Sequence, residues 1–409
     1  MAVAQGRNKQ LIFKRQAALG TIATTGSAQR LRRVTSSFEL QKETYNSADE
    51  ITSTQQMLSS VHGVKQINGA VSALLSPSTY SDFMSSLLRR DYTTVTALTA
   101  LSLTIAGAGP TYTITRAAGD YLAGGIKVGM GFRITAGTFN AANLNKNLLV
   151  TGVTATVITC VVMNAGVVAG LFAEGPIASA TITVNGKVTY VPNTAHTQNY
   201  YTVEEFYSDL TKSEVSTDVK VGSASFSLPG TGNAKVDFSL MGLNQTRASA
   251  AYFVTPTTET TTGILADASG ALLVGGVSVA TVTDLSIEIN GNQTVADGVV
   301  GTNLRPDIFD GKVIATGSFT AYFENTTIAD NFLNETETSL LAAITAGATA
   351  AADFMTFTMS RVKINTDKVD DGETGLKRTY GYEALYNSAG GAALATQQTT
   401  ISIQDSAAP

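Results

Sequence analysis

Between Ser223 and Leu240 the chain reads SASFSLPGTGNAKVDFSL. Ala224, Phe226 and Leu228 alternate with serines, and Ala234, Val236, Phe238 and Leu240 alternate with Lys, Asp and Ser. A period of two on both sides of a Pro/Gly/Asn cluster predicts a β-hairpin with one buried and one polar face. The alternation recurs in TDLSIEIN through Leu285, Ile287 and Ile289, and in KVIATGSFTAYF through Val313, Ala315, Gly317, Phe319, Ala321 and Phe323. An earlier set runs through Phe38 and Leu40, then Gly69, Val71, Ala73 and Leu75. Helices are few and short. Ser78 is placed to cap one over STYSDFMSSLLRR, and Thr326 or Thr327 opens a second that runs to about Leu341. The fold class is mainly β with a small helical share.

Two of these stretches resemble each other. GAVSALLSPSTYSD (Gly69 to Asp82) lies over GSFTAYFENTTIAD (Gly317 to Asp330) without a gap, with Gly, Ala, Thr and Asp coinciding. In both, an alternating strand ends, a polar turn follows and a helix opens. Upstream, the strand at Phe38 answers to the one at Leu285. Downstream, the hairpin has a looser counterpart in SRVKI, the charged turn NTDKVDDGETG and LKRTYGYEAL. The order points to an internal duplication.

About 100 residues between helix and hairpin in the first copy have no counterpart in the second. Thr93 to Thr194 holds seven charges and its own strand signals: TYTITR, GFRITAG, NKNLLVTGVTATVITCVVM and SATITVNGKVTYVP. It reads as a small β-domain inserted at a surface loop, where added length costs little closure entropy. The expected organisation is an N-terminal arm (1–33), a discontinuous first domain (34–92 and 195–255), the insert (93–194), a linker (256–279) and a second domain (280–409).

Composition narrows the function. Charged residues are 14% of the 409, against roughly 25% in ordinary soluble domains, and a weakly charged exterior suits a protein covered by its own copies. A net charge of −5 argues against a dedicated nucleic-acid grip. Residues 1–33 nevertheless hold seven Lys or Arg and no acid. They read either as a solvated arm or as one that docks on an acidic surface of a neighbouring copy, nucleic acid being a third reading. The single Cys160 excludes an intrachain disulfide framework. No apolar signal core follows the start, and the most apolar run, Val157 to Val168, is broken by Asn164 and Gly166. These features suggest a soluble protein made in a cytoplasm.

Catalytic and cofactor sites are not expected. His62 and His196 have no partner nearby in sequence, and Cys160 reads as a buried small hydrophobe. GGIKVGMGF lacks phosphate-loop spacing and reads as a turn. Asp367, Asp370, Asp371 and Glu373 miss the calcium-loop pattern and read as a solvated acidic turn, with cation binding the alternative.

YYTVEEFYSDLTKSEVSTDVKVGSASFSLPGTGNAKVDFSLMG, NLRPDIFDGKVIATGSFTAYFENTTIADNFLNETETSL and DDGETGLKRTYGYEALYNSAGGAALATQQTTISIQDS resemble the tail tube proteins of bacteriophages with long, non-contractile tails. The insert is similar to small β-modules that recur in phage structural proteins. Together these cover most of the chain apart from the linker. The resemblance implies β-sandwich domains with a flanking helix, packed into rings that stack into a hollow tube for DNA passage, in a virion tail with other tail proteins at its ends. Members often carry one such domain per chain and six chains per ring, whereas this sequence holds two in tandem.

Three chains would then close a pseudo-sixfold ring, with six chains the alternative. Ser223, Ser225, Ser227, Asp237 and Ser239 would line the channel, or face solvent as an ordinary hairpin, with DNA as non-specific cargo. Arg30, Arg32 and Arg33 would meet Asp367, Asp370, Asp371 and Glu373 of an adjacent ring. A capsid-decorating or host-recognition module built on similar β-domains is the competing function.

Overall fold

The computed structural model describes residues 3–266, 270–279, 281–370, 373 and 375–409. The chain opens with β1 (Lys9–Arg15) and β2 (Gly26–Arg30), then the long hairpin β3 (Thr35–Asn46) and β4 (Ser60–Leu74), and helix α1 (Ser81–Leu88). Six strands follow: β5 (Leu98–Ala106), β6 (Thr111–Arg116), β7 (Gly131–Ala136), β8 (Leu148–Val153), β9 (Val157–Val162) and β10 (Glu174–Val184). They close into a barrel in the order β10-β5-β6-β9-β8-β7. The chain returns through β11 (Lys187–Tyr190), β12 (Tyr201–Tyr207), β13 (Lys212–Pro229), β14 (Lys235–Gly242) and β15 (Asn244–Ala248), and crosses by β16 (Thr255–Thr257). The second half holds β17 (Gly270–Val274), β18 (Val277–Ser278), β19 (Val282–Asn290), the short pair β20 (Thr294–Val295) and β21 (Ile308–Phe309), and β22 (Ile314–Tyr322). Helix α2 (Thr327–Leu333), β23 (Thr338–Thr345), β24 (Phe354–Asp370) and β25 (Lys377–Ala384) complete it, and β26 (Ser402–Asp405) closes the chain.

The halves repeat one plan. β1, β2, β3, β4, α1, β12, β13 and β14 answer in order to β17, β18, β19, β22, α2, β23, β24 and β25, with the same antiparallel pairings. Even an irregularity is shared. The β13–β14 register slips between Val221 and Ser223, and the β24–β25 register between Ile364 and Thr366, so Gly222 and Asn365 are equivalent bulge residues. The aligned glycines are sites of close approach: a Cβ on Gly69 would lie 2.6 Å from the Phe38 ring, and one on Gly317 2.5 Å from the Tyr382 hydroxyl.

The repeats join edge to edge. β13 pairs with β19 from Ser223↔Asn290 to Pro229↔Asp284. Strands β3, β4, β14, β13, β19, β22, β25 and the far half of β24 therefore form one continuous antiparallel layer. Its apolar residues, among them Val71, Phe226, Phe238, Ile287 and Phe319, face a second layer built from β1, β12, β23 and the first half of β24. The core is continuous: Phe226 of the first repeat packs on Phe357 of the second at 4.9 Å between ring centres.

Helix α1 sits in this core because Phe83, Met84, Leu87 and Leu88 recur on one face, where Phe83 meets Phe13 at 4.9 Å and Tyr201 at 5.7 Å. Burying each such side chain contributes about 1.5–3 kcal/mol. The helix ends at Arg89, whose left-handed φ of 58° lets its N–H reach back to Ser85 and Ser86.

Several expectations need correction. Ser78 does not cap α1: its φ is 71°, its N–H goes to the Asp405 carboxylate at 2.7 Å, and the helix starts three residues later. The second helix stops at Leu333 rather than near Leu341. Glu335 takes a left-handed φ of 53°, and Leu340 to Thr345 is buried on both faces, which a strand inside two layers satisfies. Residues 1–33 are no free arm, since β1 pairs with β12 and β2 with β1. Residues 256–279 are no plain linker, since β17 pairs with β23.

The barrel hangs on a neck where Thr93 and Val188 exchange two backbone hydrogen bonds of 2.9 Å. It docks on the second repeat through Leu149, Met163, Leu273, Leu341 and Phe354. The Gln404 side chain accepts from Gly131 N–H at 2.6 Å and donates to its carbonyl at 2.8 Å. The buried Lys127 ammonium donates to the carbonyls of Gly391 and Ala392 at 2.8 and 2.6 Å.

Beside Gln404, burial pushes the Asp405 carboxyl up to about 6. A folded-state value above the unfolded 3.8 means that the folded chain holds the proton longer, so the contribution of Asp405 to stability is greatest below pH 4 and declines as pH rises to 6. The decline is about 3 kcal/mol. Asp405→Asn is expected to remove this slope, read as the difference between the denaturant midpoints of variant and wild type from pH 4 to 7. A constant difference would show that Asp405 does not titrate there.

Candidate assembly surface

The eight-stranded layer has a polar face opposite its core. Ser225, Ser227, Asp237 and Ser239 are exposed on it and Ser223 is half-buried, each alternating with a buried neighbour. Register aligns them in rows: Ser223 opposite Ser239 and Asn290, and Ser225 opposite Asp237 and Glu288. Ser72 extends the second row, and Ser227 begins another with Ser286 and Ser318. Some of the face's side chains bond one another across strands. Ser286 bonds Ser318 at 3.0 Å, Thr320 bonds Thr379 at 2.8 Å, and Ser72 donates to Asp237. Charge on this face is sparse and slightly acidic: Glu39, Asp237, Asp284, Glu288, Asp370 and Glu383 against Lys235, Lys363, Lys368 and Lys377.

The two edges of the layer have no neighbouring strand among the described residues, although at the β3 edge the Ser36 and Phe38 carbonyls accept from Lys9 at 2.9 Å and Gln245 at 3.4 Å. Among the described residues β3 pairs only with β4, and β24 beyond Val362 only with β25. Their positions in the repeat correspond to β19 and β13, which pair with each other inside the chain. Val369 stands where the first repeat has Phe226. Phe226 is fully buried under β19, whereas Val369 is 43% exposed.

Where β13 meets β19, a buried charge cluster locks the repeats together. The Lys220 ammonium lies 3.2 Å from Asp310 and donates to the Ile308 carbonyl at 2.8 Å. Arg89 approaches Asp310 at 4.0 Å and donates to the Gly291 carbonyl at 2.9 Å. Gln293 donates to the other side of the carboxylate at 2.9 Å. Sequence reading missed this cluster because its members come from the end of α1, from β13 and from the residues in and flanking β20 and β21, far apart in the chain.

The three arginines singled out in the sequence have partners within the chain. Arg30 lies 3.8 Å from Glu259. Arg32 donates to the carbonyls of Thr260 and Thr262 at 3.1 and 2.8 Å, and Arg33 to that of Lys9. Asp367 is 2.5 Å from Arg378. Asp370 and Glu373 are exposed at the β24–β25 turn, and Asp371 lies outside the described residues. The structure does not bring the arginines and the acidic turn together within one chain.

Cys160 is fully buried in the barrel, which pushes its thiol up to about 12. His62 and His196 are exposed. Among the described residues no group of three His, Cys, Asp or Glu side chains is placed to hold a metal ion, and no helix is long and apolar enough to cross a membrane.

A family model described as phage tail tube protein matches residues 6–384. No curated protein matches the sequence.

Asp310 gives the junction a direct test. Asp310→Ala leaves Lys220 and Arg89 buried without their carboxylate, which costs about 3–5 kcal/mol when one partner of a buried pair is removed. The expected result is a lowered denaturant midpoint, with Asp310→Asn intermediate. Wild-type stability in the alanine variant would remove the cluster from the junction.

Proposed function

The chain belongs to the phage tail tube protein family, a structural family of the virion tail, and on that premise we propose that three copies close into a ring whose polar sheet face lines a DNA channel. The observation that carries the reading is the internal β13–β19 junction. It is a head-to-tail contact between two copies of one fold, already made within the chain, and repeating it between chains satisfies the two open edges.

The junction also supplies a register. Mapping β13 onto β24 and β19 onto β3 sets Lys368 opposite Glu39 on the polar face and Val369 opposite Phe38 on the core face. The charges are complementary, and the apolar pair gives Val369 the cover that Phe226 has. With eight strands per chain, three chains make a wall of 24 strands, roughly 37 Å across at the backbone before tilt, from a strand spacing of about 4.8 Å. Side chains narrow this to a bore that fits one double helix with its hydration. Six such chains would double the width.

The polar face suits passage rather than binding. It carries small hydroxyls and no basic cluster to hold a phosphate, and its slight excess of acids repels phosphates. Asp370 and Glu373, at the turn end of the sheet, are the part of the expected ring-to-ring pairing left free to meet an adjacent ring. Synthesis in the host cytoplasm and attachment to other tail proteins at the tube ends belong to the same reading.

Val369→Lys is expected to give folded chains that do not close rings, because the ammonium would be trapped against Phe38. Glu39→Lys and Lys368→Glu should each weaken closure, and the double exchange should restore it. Native mass spectrometry checks both, expecting rings of three 42.6 kDa chains. Rings of six, or normal closure by Val369→Lys, would overturn the reading.

A further inference from the structure

Besides the barrel and the long β3–β4 hairpin, the repeats differ at the end of the sheet that carries the β13–β14 and β24–β25 turns. In the first repeat the segment before residue 266 lies across the mouth of the sandwich. Leu265 is fully buried there. Its N–H donates to the Leu75 carbonyl at 2.9 Å, and its carbonyl accepts from Ala234 N–H at 3.0 Å. Thr262 donates to the Pro77 carbonyl at 2.6 Å, and Arg32 holds the segment from the other side.

The second repeat builds the same frame without the plug. Phe323 stands for Leu75 and Leu376 for Ala234, and Phe323 N–H donates to the Leu376 carbonyl at 2.9 Å, as Leu75 N–H does to that of Ala234. Among the described residues nothing stands for Leu265. Among the described residues the Phe323 carbonyl and the Leu376 N–H have no partner. In its place is a cleft of 360 Å³ lined by Val274, Val277, Val279, Phe323, Ile328 and Tyr380. Helix α2 beside it buries only Ala329, whereas α1 buries seven of its eight residues.

The opposite end of the sheet carries a matching part. The β3–β4 hairpin extends past the layer from Gln41 to Asn46 on one strand, roughly 17 Å at about 3.4 Å per residue, before its turn. It is braced by Arg305 to Glu43 at 2.6 Å and by Lys65 N–H to the Asn303 carbonyl at 3.1 Å. Its tip exposes Ile51, Met57 and Leu58, apolar side chains that cost solubility unless something covers them.

We propose that this cleft receives the β3–β4 hairpin tip of a second copy in the adjoining ring. Each chain has one tip and one cleft, at opposite ends of the same sheet, so the contact propagates along a stack without a change of partner. Ile51, Met57 or Leu58 fills the space that Leu265 fills in the first repeat. The extended backbone of the tip then supplies a donor to the Phe323 carbonyl and an acceptor to the Leu376 N–H. The inference rests on the stacked-ring reading.

The test is a chain carrying Ile51→Cys and Val277→Cys, oxidised as assembled tubes and as dissociated chains, with the linked peptides identified by mass spectrometry. Disulfide-linked multimers joined at 51 and 277, in tubes only, are expected. Alongside, Ile51→Asp combined with Leu58→Asp alters only exposed positions and is expected to leave single rings intact while cutting mean tube length at least tenfold. Wild-type tube length in the aspartate variant, or links from position 277 to any other segment or protein, would overturn the cleft assignment and leave ring closure standing. Absence of any ring from the wild-type chain would overturn both.

Discussion

An antiparallel sheet that ends in unpaired N–H and C=O groups has to find partners for them, and the fold turns on how those partners are found. One repeat alone has two raw edges. In tandem, the second repeat covers one edge of the first along Ser223 to Pro229 and leaves the pair with the same two edges, set further apart. The covering is exact enough to bury Phe226 and to draw Arg89 and Lys220 onto Asp310. A contact this complete between two copies of one fold makes self-association the economical account of the edges that remain.

What the sequence disclosed is what period two can disclose. The strands with one wet face, β4, β13, β14, β19 and β22, alternate cleanly and were legible, as were the aligned glycines and the strand–turn–helix order of the duplication. The inner layer was not. Leu340 to Thr345 is buried on both faces and reads as a helix continuation by pattern alone. β1 lies in a charged stretch that resembles a solvated arm, yet Lys9 reaches Glu205 at 2.6 Å and Leu11 and Phe13 enter the core. Leu265 closes the first repeat from a Thr-rich segment with no periodic signal.

The same limit applies to the candidate site. The rows of Ser223, Ser225, Ser227, Asp237 and Ser239 could be read because one hairpin holds them all. The edges of β3 and β24, and the cluster around Asp310, depend on which strands become neighbours, and partners far apart in the chain leave no mark in local spacing. Charge counting also gave no sign of the partners within the chain: Lys9 reaches Glu205, Arg30 lies near Glu259, and Arg32 donates to the carbonyls of Thr260 and Thr262.

Joining the repeats covalently has a kinetic side. In any ring built from these chains every second junction is intramolecular, formed at the effective concentration of a tethered pair, which for short flexible tethers is on the order of millimolar. Free subunits at cellular levels meet far less often. Nucleating a ring then depends on half as many encounters, and the cis junction is present before the first of them. The tether also frees the halves from being identical. One copy can lengthen a hairpin, carry a barrel on a two-bond neck and seal its own mouth, while the other keeps its mouth open, a division of labour that a ring of single-repeat subunits encoded once has no means to make.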